Sequence, residues 1–144
     1  GQNTAEEVKI AIGCVYPRPE EAVMNVKGRD LKTGLPKEET LTSSELLEAF
    51  KRPARQIVDE VLSVLEQTSP ELVADLPGNG IVLTGGGSLL YGFDKLITER
   101  TEIPCSIADD AESCVANGAG RSLAWITAMQ EGTINIARRK LMKE

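Results

Sequence analysis

The apolar residues of this chain change period along its length. From Thr4 to Gly13 the pattern predicts a helix. Thr4 and Glu7 have the spacing of a capping box, Val8, Ile10 and Ile12 supply apolar surface, and Gly13 is a natural stop. Tyr16-Pro17-Arg18-Pro19 cannot continue it, because each proline lacks an N–H. The β-rich run Ala22 to Val26 predicts a strand, Lys27-Gly28-Arg29-Asp30 a turn, and Glu38 to Leu41 a second short strand, together a small charged hairpin. Thr42 and Glu45 form another capping box ahead of Leu46, Leu47 and Phe50. Ile57, Val58, Val61, Leu62 and Leu65 then give an amphipathic stripe. Pro53 lies between these two apolar groups, and the cost of an interior proline predicts two helices, 44–51 and 53–67. A helical turn from Ser69-Pro70 to Leu76 is ended by Pro77-Gly78-Asn79-Gly80.

Beyond Gly80 the pattern becomes alternating α/β. Ile81 to Thr84 reads as a buried strand, followed at once by Gly85-Gly86-Gly87. A helix from Phe93 to Glu102 with Leu96 and Ile97 inward, a strand from Ile103 to Ala108 and a helix from Glu112 to Met129 complete the order. Strand, helix, strand, helix implies a right-handed crossover in a mainly parallel sheet. The tail after 131 is basic and mildly amphipathic.

Composition narrows the chemistry. The 144 residues suit one domain or two small lobes, with an aliphatic core: 41% of residues are apolar but only 3% aromatic. Few aromatic rings and a net charge of −6 exclude the stacking platform and basic face of a nucleic-acid binder. The chain has no histidine, which removes Ser-His and Cys-His catalysis and histidine-ligated metals. Cys14, Cys105 and Cys114 form no CxxC pair and are expected to be reduced, mostly buried thiols of a cytosolic protein. No signal peptide is visible, and no apolar run approaches the roughly 20 residues of a membrane span.

The candidate chemistry centres on Leu83-Thr84-Gly85-Gly86-Gly87-Ser88. Glycines directly after a strand place a tight turn at its carboxyl end, the edge where open α/β sheets bind ligands. Without Cβ atoms the backbone can approach a ligand closely, although a turn needed only for packing would look the same. The spacing is neither that of a P-loop, since no lysine follows until Lys95, nor that of a dinucleotide fingerprint, so the turn is expected to meet a nucleoside rather than grip a triphosphate. Gly118 and Gly120 suggest close backbone approach inside the last helix, most simply helix-to-sheet packing. Glu6 and Lys9 share a helix face and by spacing alone are a surface ion pair.

Four segments in order resemble the actin-like ATPases, and within them the bacterial cell-shape branch. These are Thr4 to Gly13 with Tyr16-Pro17, Leu41 to Phe50, Gly80 to Leu90, and Asp109 to Gly120 with Cys114-Val115-Ala116-Asn117-Gly118-Ala119-Gly120. The third resembles the family's adenosine motif. The resemblance covers the chain to about Met129 and implies the C-terminal part of an actin-like ATPase lobe. It divides the chain into a small α+β subdomain (IIB) over 1–42, part of an α/β subdomain (IIA) over 43–131, and a basic helical tail over 132–144.

The resemblance also implies an ATP site. Glu6 and Lys9, with Glu7 and Val8 between them, would approach the adenosine from the first helix, and Gly85, Gly86, Gly87, Ser88 and Leu89 would pass the nucleotide. The family's two phosphate loops and its magnesium-organising acids do not occur in this sequence, which has no Asp-x-Gly hairpin. Mg2+ would therefore be bound through residues outside this chain, no catalytic residue is assigned, and the chain alone is expected to be inactive although the family is one of ATPases. The partners implied are further copies of the protein in filaments, and cell-wall synthesis and shape proteins at the membrane, with no nucleic acid. The implied location is cytoplasmic and membrane-associated as filaments. Two alternatives are a division or plasmid-segregation ATPase of the same superfamily, of which the IIB-like segment argues against the division protein, and an independent α/β module using the glycine turn as a phosphate site.

Overall fold

A computed structural model describes residues 1–126, with side-chain surroundings up to 123. The expected tail over 132–144 lies outside the described residues. The chain opens with α1 (Gln2–Ile12), which begins two residues before the expected start. The Thr4–Glu7 capping box therefore does not form: both residues lie inside the helix, and Gly1 stands at the N-cap without a side-chain hydrogen bond. Gly13 ends the helix as expected, its N–H donating to the Lys9 carbonyl. Val8 and Ile12 are the buried residues of α1.

Strands β1 (Val23–Arg29) and β2 (Pro36–Thr42) pair antiparallel from Val23–Thr42 to Arg29–Pro36. Of the expected turn at Lys27 to Asp30, Lys27 to Arg29 are strand instead. Lys27 stands opposite Glu38, an opposite-charge pair that suits an exposed ladder. The chain reverses beyond it, where the Asp30 carboxylate accepts the backbone N–H groups of Lys32 and Thr33, each at 2.8 Å.

Helix α2 (Ser43–Gln67) starts on the expected capping box, with both reciprocal Thr42–Glu45 hydrogen bonds present. It runs unbroken through Pro53, so the two expected helices are one. Leu47, Phe50, Ala54, Val58 and Leu62 stay in phase across the proline. Ala54 and Val58 are buried with Val15, Phe93 and Ile97, and Phe50 and Leu62 pack against that cluster. Burial of this stripe on both sides of Pro53 offsets the roughly 3 kcal/mol an interior proline costs.

Helix α3 (Pro70–Asn79) also passes through a proline, Pro77, and ends at the left-handed Gly80 rather than at Leu76. Strands β3 (Ile81–Leu83) and β4 (Cys105–Ile107) pair in parallel, Ile81 with Cys105 and Leu83 with Ile107, and α4 (Phe93–Thr101) forms the crossover between them. A 3-10 turn (Gly86–Leu89) lies between β3 and α4, and α5 (Cys114–Ile126) follows β4. Ile81, Leu83 and Cys105 pack toward the core. Val82 faces the other way at 59% exposed, so β3 is covered on one face only and is not the buried strand its sequence suggests. Of the three thiols only Cys14 is buried; Cys105 and Cys114 are half-buried. The mixed helix and strand order with a parallel crossover agrees with the expected α/β class.

Candidate nucleotide-binding turn

The Gly85–Leu89 turn is built by its own backbone. Gly85 has φ +84° and ψ 160°, a region essentially reserved for glycine. Its carbonyl accepts both the Ser88 N–H at 3.1 Å and the Ser88 hydroxyl at 2.6 Å. Ser88 is buried, so its hydroxyl closes the turn rather than facing solvent. The loop after β4 runs alongside: Ala108 N–H donates to the Leu83 carbonyl at 2.9 Å, and Gly85 N–H donates to the Ala111 carbonyl at 2.7 Å. Backbone from the carboxyl ends of two neighbouring parallel strands therefore forms one ledge, the usual ligand edge of such sheets.

The ledge is open. A Cβ built on Gly85 or on Gly87 meets no heavy atom within 4 Å. At Gly86 it would meet the Glu112 carboxylate, Oε1 lying 3.2 Å away. Glu112 is itself exposed. Its local sequence does not mark it as a site residue. The signal that could have found it is its place in the loop just beyond β4, on the same ligand edge as the glycines. Leu89 is 53% exposed at the far end of the turn.

Helix α1 reaches this region through its C-terminal end. Cys14 bridges Tyr91, Val15 N–H donates to the Tyr91 carbonyl at 3.0 Å, and Gly13 abuts Leu90. The approach needs Gly92, whose φ is +81° and whose place a Cβ could not share with Tyr16. Glu6 and Lys9 do share a face and pair at 2.8 Å, with 63% and 40% of their side-chain surfaces exposed. Glu7 is exposed, and Val8 is buried. The structure thus ties α1 to the segment following the glycine turn, while no hydrogen bond or ion pair among the described residues joins Glu6 to Lys9 directly to 85–89.

Two further observations bound the site. A groove of about 530 Å³ lies between α2, α4 and the Val15–Pro17 segment, and none of the nine candidate residues lines it. On its wall Tyr16 has its pKa raised, chiefly by its hydrogen bond to the Glu99 carboxylate. Gly118 and Gly120 are exposed, and a Cβ on either meets nothing within 4 Å, so the expected helix-to-sheet packing at these glycines is absent among the described residues. No described helix is long and apolar enough to cross a membrane.

Comparison with known proteins identifies the family. The family model described as MreB/Mbl protein matches residues 1–131. The cell shape-determining protein MreB of Escherichia coli (strain K12) is 46% identical over 126 residues, covering 88% of this chain and 36% of that protein. The cell shape-determining protein Mbl of Bacillus cereus (strain ATCC 10987 / NRS 248) is 44% identical over 120 residues, covering 83% of this chain and 36% of that protein. Among solved structures, MreB5 of Spiroplasma citri bound to AMPPNP matches with a TM-score of 0.80 at 37% identity, over 89% of this chain and 38% of the other. The same protein bound to ADP matches with a TM-score of 0.77 at 38% identity. The chain spans little more than a third of the length of these relatives. The parallel crossover, the glycine turn at its carboxyl edge and a family match over nearly the whole sequence agree: this chain belongs to the MreB/Mbl family and has part of its actin-like ATPase fold.

Proposed function

We propose that this chain supplies the nucleoside wall of an ATP cleft in an actin-like protein that determines cell shape. The observation that carries this reading is the ledge at Gly85 and Gly87, where backbone lies open and a Cβ would meet nothing. A flat base or a ribose can lie directly against such backbone, which no side chain other than hydrogen would allow. The nucleotide-bound state of the two similar Spiroplasma citri structures supports it. Gly85, Gly86, Gly87 and Leu89 would hold the nucleoside at the turn, and Ser88 would hold the turn in shape. Glu6, Glu7, Val8 and Lys9 would form the opposing side from α1, with the Glu6–Lys9 pair opening as its groups exchange one another for the ligand.

ATP would bring the phosphoryl chemistry, and Mg2+ would be bound by groups outside this sequence. What these residues do is bind and orient the nucleoside end. Phosphoryl transfer requires phosphates, metal and water to be positioned together, so the chain alone binds ATP weakly and does not hydrolyse it. In the whole protein the cleft would couple nucleotide state to self-association into cytoplasmic, membrane-associated filaments that guide cell-wall synthesis. Gly87→Val tests the ledge. The Cβ of the added side chain meets nothing within 4 Å, so unfolding should be little changed while nucleotide binding is lost in a calorimetric titration. Unchanged ATP affinity in a folded Gly87→Val variant would contradict the reading.

A further inference from the structure

We infer that Glu112 reads the nucleoside in this site, accepting a hydrogen bond from one of its donor groups, a ribose hydroxyl or the exocyclic amino group of the base. The inference rests on the nucleoside-wall reading above and adds a residue to it. Its basis is placement. The Glu112 carboxylate lies over the middle glycine of the turn, 3.2 Å from where a Gly86 Cβ would stand. The flanking Gly85 and Gly87 positions are open, so the carboxylate borders that open backbone and does not cover it.

The loop that carries Glu112 is fixed to the turn. Gly85 N–H donates to the carbonyl of Ala111, the residue immediately before Glu112, and Ala111 is 5% exposed. Asp110 takes a positive φ of 53°, and its carboxylate accepts from the Asn117 side chain at 3.1 Å, while Ser113 N–H donates to the Asp110 carbonyl at 3.0 Å. The neighbouring acid Asp110 is thus used in shaping the loop. Glu112 makes no hydrogen bond or ion pair among the described residues, and its oxygens are free acceptors.

A carboxylate at this place has two consequences. An ionised carboxylate only accepts hydrogen bonds, so it selects ligand groups that carry an O–H or N–H. It also repels a phosphate brought to the same spot. Both effects turn the nucleoside end of a nucleotide toward the ledge and its phosphates away from it.

The test is a titration of the whole chain with ATP, 2′-deoxy-ATP and ITP, for the unaltered protein and for Glu112→Ala and Glu112→Gln. Losing a hydrogen bond to a charged group should weaken ATP binding by about tenfold in Glu112→Ala, with Glu112→Gln between the two. If a ribose hydroxyl is the donor, 2′-deoxy-ATP loses affinity in the unaltered chain and loses nothing further on Glu112→Ala. If the amino group is the donor, ITP behaves that way instead. ATP, 2′-deoxy-ATP and ITP affinities that Glu112→Ala leaves within about twofold would overturn the assignment alone. No saturable binding of any of the three by the unaltered chain would overturn the nucleoside-wall reading and this assignment with it. Glu112 is exposed, so thermal unfolding of each variant should match the parent and separates a binding effect from a folding one.

Discussion

The two sides of β3 differ sharply. On one, α2 and α4 close over the strand pair, with Val58 2% exposed and Ile97 fully buried. On the other, Val82 is 59% exposed. Further along the chain every residue of α5 from Val115 to Leu123 is exposed too, Val115 at 78% and Leu123 at 67%. The glycine turn sits on the seam. Its backbone is fixed by Ser88 and by the loop after β4, and a Cβ at Gly85 or Gly87 would meet nothing. The packed side carries the buried core of the chain, and the open side is the one the proposed binding would use.

Breaking the packed side should have the largest effect. Ile97→Ala is expected to cost about 2–5 kcal/mol in urea unfolding, because it leaves a cavity at the centre of the core. A loss below about 1 kcal/mol would mean that this side is no tighter than the other. Gly85→Ala comes next. The turn conformation at Gly85 excludes a Cβ by backbone strain rather than by contact, so roughly 1–3 kcal/mol should be lost although the space is empty. Leu123→Ser, on the exposed α5, should change the stability of this chain by no more than about 0.5 kcal/mol. A large loss there would show that α5 packs more tightly than its exposure indicates.

The smallest effect is electrostatic and local to the hairpin. The N–H groups of Thr33 and Lys32 hold the Asp30 carboxyl below its ordinary pKa. Because the folded value is lowered, the stabilisation is full above the unfolded carboxyl value and is lost as pH falls through the folded one. The Lys32 and Thr33 amides should therefore respond in NMR spectra only below the ordinary carboxylate midpoint, while β3 and β4 amides stay unchanged. A tip that titrates at the ordinary midpoint would contradict the hydrogen-bonded loop.

The sequence was legible where local chemistry decides. The Thr42–Glu45 box, the stop at Gly13 and the glycine turn all depend on residues within a few positions of one another, and the order strand, helix, strand announces the parallel crossover. It was misleading where distant packing decides. Pro53 looks like a boundary, yet Ala54 and Val58 beyond it are buried in the same core that Phe50 joins before it. Ile81-Val82-Leu83 looks like a buried strand, yet nothing in the described chain covers Val82. Gly118 and Gly120 look like packing glycines for the same reason, and their surroundings are empty. At the site, the glycines could be read directly. Glu112 could not, because only the pairing of β3 with β4 brings its loop beside the turn.

The claim that the chain holds the nucleoside side of a cleft, and not its phosphate side, is tested most directly by titrating adenosine, ADP and ATP into it in one buffer with Mg2+. Affinities within a few-fold of one another, with no phosphate released, are the predicted result. An ATP affinity orders of magnitude above that of adenosine, or measurable turnover by the pure chain, would contradict it.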